Sequence, residues 1–407
     1  MGDHVKPDST AVQRERGADP SRILFVEANE DGTTGGSHRS LFELARRLDR
    51  ERFQPVVLFY QQNPFVDRLR AEGITVLLYD EVRQRERAAR TSGRFMTKLL
   101  DVAAAVSRRR DTLRKHRIDL VHINNSPRVG CDDWLPACRL LRIPIVASVR
   151  GDAGGPQKRW QRFLFKRFDR VMPVARWLGE AMSRAGISAK RIRVVYNGVD
   201  THGIRGRVQQ NPHELRSRLG IRAGDLFAVM VANIRPWKGQ HVALDAFAQA
   251  RGTNEGLKLA LVGATGDEQE NLDYERRLRA KAAQPALRGA IHFLGARSDV
   301  PDLFAAADVA IHASVDPEPF GLVIVEAMAT GTPVIASNRG GPVEIVTDES
   351  GFLHDPSEPS ELANILSALS NSDVLGHMSK QAIERADQFD IGRTVSNMQR
   401  LYDEVLG

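Results

Sequence analysis

From Arg22 to about residue 353, short runs of Val, Ile, Leu and Ala alternate with longer stretches whose apolar residues recur at helical spacing. Short runs without polar alternation are what strands covered on both faces require. The stretches between them are long enough for the crossovers that parallel strands need. The chain is therefore expected to be α/β, built on doubly wound parallel sheets. Strands are expected at residues 23–28, 55–60, 74–79, 119–124, 143–149, 170–174 and 191–195. A second series is expected at 226–232, 258–262, 290–294, 309–312, 332–336 and 351–353. The first expected helix covers residues 38–48, and residues 360–406 read as helical throughout. Asn197-Gly198-Val199-Asp200 interrupts the pattern, and residues 201–212 read as a connection.

The expected organisation is a flexible tail (1–20), a first domain (21–200), a second domain (201–385), and a terminal helix (386–407) packing back on the first. Two such sheets facing each other would gather the carboxyl ends of both strand sets around one interdomain cleft. A chain of 407 residues, 42% hydrophobic with 33 Gly and 19 Pro, is long enough for two globular domains. Its net charge of +7 points to an anionic partner: nucleic acid, an anionic membrane surface or a phosphorylated substrate. None of the usual nucleic-acid modules is present, so nucleic acid is not expected. Cys131 and Cys138 form neither a disulfide framework nor a zinc pattern and read as buried thiols in a reducing compartment. No run nears 18 apolar residues, and residues 1–20 lack the apolar core of a signal peptide, so a cytoplasmic location is expected.

Four motifs can carry chemistry. Gly35-Gly36-Ser37 follows the first strand and precedes a helix, where free amides attract anions; alternatively it is a turn with a Ser cap. Arg235-Pro236-Trp237-Lys238-Gly239 follows the strand at 226–232 and offers a planar fork and a point charge suited to a diphosphate, or a solvated pair of charges. Glu318-Pro319-Phe320-Gly321-Leu322 runs into Val323 and on to Glu326, putting one carboxylate in a loop and another in the following helix. Carboxylates suit vicinal hydroxyls, so sugar and ribose are natural ligands; capping and solvation are the plainer use. Gly340-Gly341-Pro342-Val343-Glu344 offers a further amide-rich helix start, where a structural role is the simpler reading.

Taken together and in this order, these motifs resemble the retaining glycosyltransferases of family 4, which have the two-domain GT-B fold with Rossmann-like halves. The specific segment is 309–346, with Glu318-Pro319-Phe320-Gly321, Glu326-Ala327-Met328-Ala329, Gly331-Thr332-Pro333-Val334-Ile335-Ala336 and Gly340-Gly341-Pro342-Val343-Glu344. The resemblance implies transfer of a sugar from a UDP-, GDP- or ADP-sugar to an acceptor hydroxyl on a glycan, glycolipid or small molecule. It implies retention of configuration, no cofactor and no metal; the chain contains no Asp-x-Asp. It implies that Arg235 and Lys238 bind the diphosphate, Glu318 contacts the transferred sugar and Glu326 holds the ribose. Phe320, Gly321, Leu322 and Val323 would present backbone to sugar and phosphates, Gly295 and Arg297 would flank the base, and Gly35, Gly36 and Ser37 would close over the diphosphate.

One departure is Arg150, where the family commonly has His: it could replace that His as a donor-binding cation. Asp152 is a remote candidate base, and His122 reads as a structural residue at a strand end. Arg-rich stretches at 83–117 and 156–170 lie in the expected acceptor domain, the second interleaved with Trp160, Phe163, Phe165 and Phe168. They suit either packing with solvated charges or peripheral contact with an anionic inner membrane face, where a lipid-linked acceptor of polysaccharide assembly would be found. The rival functions are a non-hydrolysing nucleotide-sugar epimerase and a non-catalytic nucleotide-sugar-binding protein.

Overall fold

The computed structural model describes residues 19–27, 29, 35–79, 95–125, 134–151, 159–369 and 372–407. Residues 1–18 of the expected tail, Cys131, Asp152 and residues 83–94 and 156–158 of the Arg-rich stretches lie outside the described residues.

Two six-stranded sheets form the frame. The first contains β1 (Ser21–Val26), β2 (Phe53–Phe59), β3 (Thr75–Leu78), β4 (Leu120–Ile123), β5 (Ile145–Val149) and β6 (Arg170–Pro173) in the order β3-β2-β1-β4-β5-β6. The second contains β7 (Leu226–Val231), β8 (Leu257–Val262), β9 (Ile291–Gly295), β10 (Val309–His312), β11 (Val334–Ser337) and β12 (Gly351–His354) in the order β12-β11-β10-β7-β8-β9. Every pairing is parallel. Both sheets reverse strand order beside their first strand, between β1 and β4 and between β7 and β10. At such a point successive crossovers leave in opposite directions, and a crevice opens at the carboxyl ends of the strands.

Burial on both faces explains the composition of the strands. Within β1, Ile23 and Phe25 enter one hydrophobic cluster while Leu24 and Val26 enter another across the sheet. Within β7, Leu226, Ala228 and Met230 face one cluster and Phe227 and Val229 the other. Neither face of these strands can be polar, which is why the runs lack alternation.

The expected strand at 191–195 is not a strand. Arg193 and Val195 donate backbone hydrogen bonds of 2.9 and 3.1 Å to Val171 and Pro173 of β6. A parallel ladder would have the next bond returned from the amide of residue 173, but Pro173 has no N–H to give. The sheet therefore ends at β6.

The helical segments expected at 360–406 are the helices Pro359–Ala368, Ser372–Asp387 and Ile391–Leu406. Helices Pro359–Ala368 and Ser372–Asp387 remain with the second domain, and Ala382 and Ala386 pack with Ala327 and Met328. The chain then crosses beside Val199, with Val199 N–H to Phe389 O at 3.0 Å and Ile391 N–H to Val199 O at 2.9 Å. Asp390 caps the final helix, Ile391–Leu406, accepting from Gly392 N–H at 2.8 Å. Ile391, Val395, Met398, Leu401 and Tyr402 of this helix complete the core of the first domain. Tyr402 reaches under the sheet, its hydroxyl 2.7 Å from His122 Nδ1, while Ser148 Oγ lies 2.8 Å from Nε2. Burial, helped by the nearby Arg150 charge, holds His122 down to about 3, so the ring is neutral. Tyr402→Phe would orphan a buried ring nitrogen. The expected loss is about 1–2 kcal/mol, read as a lower denaturant midpoint with an unchanged slope.

Candidate active site

The loops after β1, β4, β7 and β10 leave the two switch points and supply most of the site. In the first domain, the helix Gly36–Arg47 begins at the glycine loop. A Cβ on Gly36 would lie 3.2 Å from Leu322 Cδ1 of the second domain. Leu322 opens the helix Leu322–Ala329, so the amino-terminal ends of two helices meet across the cleft. Each presents unpaired amides and the positive end of a helix dipole, a setting for a polyanion.

The glycine loop is braced from below. The buried Glu27 carboxylate accepts from Asn124 Nδ2 at 2.6 Å and from Ser37 Oγ at 3.4 Å. Asn124 Nδ2 also reaches the Ser37 carbonyl at 3.1 Å. Arg150 donates to the Asn124 carbonyl at 2.9 Å, to Asn124 Oδ1 at 3.3 Å and to Asn197 Oδ1. Burial lowers this guanidinium to about 10, against the pull of Glu27, and it remains a cation at neutral pH. All three of its nitrogens are thus engaged in tying the glycine loop's support to the interdomain linker.

In the second domain, the chain leaves β7 and makes a tight turn at Pro236–Lys238, ending at Gly239 with φ +75°. That turn crosses directly over the end of β10: a Cβ on Gly239 would stand 1.8 Å from the Ala313 carbonyl oxygen. Trp237 O accepts from Val315 N–H at 2.9 Å, which pins the crossing. As a result Lys238 Nζ lies 2.6 Å from Glu318 Oε2. The same oxygen lies 3.5 Å from His312 Nε2 and 3.4 Å from Ser314 Oγ. Burial alone would push the Glu318 carboxyl up, but Lys238 and His312 outweigh it and hold the group at about 2. The Glu318 loop is positioned by the second glycine pair. A Cβ on Gly340 or Gly341 would stand 2.4 Å from Glu318 O or 2.3 Å from Phe320 O, and Gly341 N–H bonds Glu318 O at 2.8 Å.

Not every expected site residue joins this cluster. Arg235 turns away toward Glu268 at 3.7 Å. Phe320 puts its ring into the core against Tyr196 and Phe389. Arg297 forms a two-pronged pair with Asp299 at 2.8 and 2.6 Å, beside Gly295 at the end of β9. Glu326 is largely buried and pairs with Arg39 of the first domain; burial pushes its carboxyl up while Arg39 and Arg207 pull it down. Of these, Arg297 and Glu326 line an interdomain cavity of about 330 Å³, together with Arg39, Phe65, Arg68 and Arg207. Glu344 joins the domains elsewhere, accepting from Arg176 N–H and Trp177 N–H at 2.9 Å and from the Tyr196 hydroxyl at 2.8 Å.

Sequence reading missed Arg39, Asn124, His312 and Ser314. Arg39 follows Gly36 by one helical turn, which was the available signal, but its partner is 287 residues away. Its side chain is half exposed, so the pair contributes at most about 1 kcal/mol. Arg39→Ala is expected to leave the thermal midpoint within roughly 3 °C of wild type; a larger drop in a melting curve would show that the pair holds the domains together.

Two Rossmann-type sheets, with cations, carboxylates and helix starts converging between them, define an α/β protein with a polar interdomain cleft suited to an anionic ligand. Residues 212–389 match the family described as glycosyl transferases group 1, and residues 34–202 match glycosyltransferase family 4. The chain belongs to the family 4 glycosyltransferases of the GT-B fold and uses a nucleotide-sugar donor. It is 30% identical to the D-inositol 3-phosphate glycosyltransferase of Corynebacterium glutamicum, over 71% of this chain and 72% of that one. It is 27% identical to the Salinispora arenicola protein of the same name, over 98% and 96% of the two chains. Among solved structures it resembles Anabaena HepE in complex with UDP, at 28% identity and TM-score 0.77, over 94% of this chain and 100% of that one.

Proposed function

We propose that this enzyme transfers a sugar from a UDP-sugar to an acceptor hydroxyl with retention of configuration and without a divalent metal. The observation that carries the reading is the Lys238–Glu318 pair beside two converging helix starts. In this reading Lys238, with Arg235 swinging in from Glu268, neutralises the charge that grows on the departing diphosphate. Fixed cations and amides need no reorganisation to do so. Glu318 takes hydroxyls of the transferred sugar, and Glu326 exchanges Arg39 for the ribose hydroxyls. Phe320, Gly321, Leu322 and Val323 present backbone to sugar and phosphates, with Gly35, Gly36 and Ser37 opposite. Gly295 and Arg297 flank the base, and Arg150 acts by holding the glycine loop. The acceptor oxygen bonds the anomeric carbon on the face from which the phosphate leaves. As the bond from that carbon to the phosphate oxygen breaks, the phosphate oxygen leaves with the electron pair and takes the acceptor proton.

UDP is favoured because HepE, similar over nearly all of this chain, has been solved with UDP and with UDP-glucose. The test is a thermal-shift screen with UDP, GDP, ADP and their glucose conjugates in EDTA. A ligand at 100 times its dissociation constant adds about 2.7 kcal/mol, so a shift with UDP is expected. No shift with any nucleotide would overturn the site assignment, and a shift that needs added metal would overturn metal independence.

A lipid-linked acceptor at an anionic membrane surface, with the enzyme peripheral on it, is favoured by one surface. No described helix is long and apolar enough to cross a membrane. Leu140 and Phe163 are 65% and 55% exposed on the first domain. Arg167 lies over the Phe163 ring at 4.0 Å, and Arg139 bonds the Arg167 carbonyl, joining the two positions into one patch with Arg162 and Lys166. Apolar side chains ringed by cations suit headgroups. Co-sedimentation with phosphatidylglycerol vesicles, weakened by salt and by Phe163→Ser, is expected; no binding even at low salt would discard the membrane.

A further inference from the structure

The contacts of Glu318 are one-sided. Lys238 Nζ, Ser314 Oγ and His312 Nε2 all address Oε2, at 2.6, 3.4 and 3.5 Å. Oε1 takes no hydrogen bond from the described residues. A carboxylate gripped by one oxygen presents the other in a fixed direction.

His312 is the last residue of β10, nearly fully buried, and its Nδ1 has no hydrogen-bond partner. Its Nε2 faces Ser314 Oγ, 3.2 Å away, and Glu318 Oε2, 3.5 Å away. With Nε2 donating to Ser314, the serine hydroxyl is free to donate onward to Oε2. This places a strand-borne ring and a buried hydroxyl behind the carboxylate, and strands hold such groups more rigidly than loops do.

We infer that His312 and Ser314 are positioning residues that hold Glu318 Oε2 so that Oε1 is aimed at the transferred sugar. The inference rests on the reading that Glu318 contacts that sugar. It also explains how one ammonium can serve two anions. When the diphosphate draws on the charge of Lys238, the His312–Ser314 pair still holds Oε2, and Glu318 keeps its orientation.

The test compares the full-length protein with His312→Leu, His312→Gln, Glu318→Gln and the His312→Leu/Glu318→Gln double variant. Affinities are measured for UDP, GDP and ADP and for their glucose conjugates. His312→Leu is expected to weaken the glucose conjugate about tenfold while leaving the bare nucleotide within about twofold, one hydrogen bond to a charged group. His312→Gln, which keeps an N–H donor, should recover most of that loss. The double variant should be no weaker than Glu318→Gln alone, because His312 acts only through Glu318. A ¹³C-carboxyl titration of Glu318, assigned with Glu318→Gln, should move upward in His312→Leu without any ligand. Equal weakening of nucleotide and conjugate, additive losses in the double variant, or an unmoved carboxyl titration would overturn the positioning role. If Glu318→Gln itself leaves the preference for the conjugate intact, the sugar-contact reading falls instead. Binding of none of the probes would overturn the donor site and the inference with it.

Discussion

Lys238→Ala is expected to lower kcat by roughly 10²–10³, as removal of one fixed donor at a developing anion does elsewhere. The ammonium is the cation that β7 delivers to Glu318, while Arg235 stands 3.7 Å from a different carboxylate. Stability should fall as well. Both members of the pair are largely buried, with side-chain exposures of 18% and 15%, and breaking such a pair from one side leaves a charge uncompensated. A loss of about 3 kcal/mol would lower the melting temperature by roughly 6–12 °C. The pH dependence follows from the depressed Glu318 carboxyl, held at about 2 in the wild type. A depressed carboxyl contributes stability that is complete above the ordinary carboxylate range and is lost as pH falls toward about 2. The gap between wild type and Lys238→Ala should therefore be widest above about pH 5 and narrow toward pH 3. Melting curves across that range read it directly. Adding Glu318→Gln to the alanine variant should restore stability but no activity. Wild-type kcat in Lys238→Ala would remove this lysine from the mechanism.

Gly239→Ala should be comparably damaging for a purely steric reason. Its φ of +75° is strained for any residue with a Cβ, and that Cβ would stand 1.8 Å from the backbone oxygen of Ala313. No side-chain rotation relieves a clash with a carbonyl. Either the turn lifts, carrying Lys238 off Glu318, or the ends of β7 and β10 part. A cost of at least about 3 kcal/mol and a melting temperature lower by roughly 10 °C are expected, with activity falling as in Lys238→Ala. Gly206 is the control: nothing lies within 4 Å of a Cβ built there, and its alanine variant should stay within about 0.5 kcal/mol. An unchanged melting temperature and kcat in Gly239→Ala would mean that the crossing of the two loops is looser than its geometry.

Two doubly wound sheets were legible because burial on both faces leaves an unbroken apolar signature in central strands such as β1 and β7. Ile23 and Phe25 serve one layer and Leu24 and Val26 the other, so no position could be polar. The misread strand at 191–195 was expected from Ile192, Val194 and Val195, with two arginines between and before them. What it lacks is a returned hydrogen bond from Pro173, twenty residues earlier, and composition does not report a partner's missing donor. The motifs were equally visible, since each depends on glycines and charges close together in the chain.

Partner choice was not. Arg235 and Lys238 both read as diphosphate-binding cations in the sequence, yet the fold pairs one with Glu268 and the other with Glu318. Arg150 reads as a free cation at a strand end, and the fold commits it to Asn124 and Asn197. His312 reads as one more strand residue, and only the loop returning from β10 brings Glu318 over it. Local periodicity records whether a residue is buried, because burial acts on each position separately. Which charge meets which depends on the switch points that bring distant loops together, and that is a property of the folded chain alone.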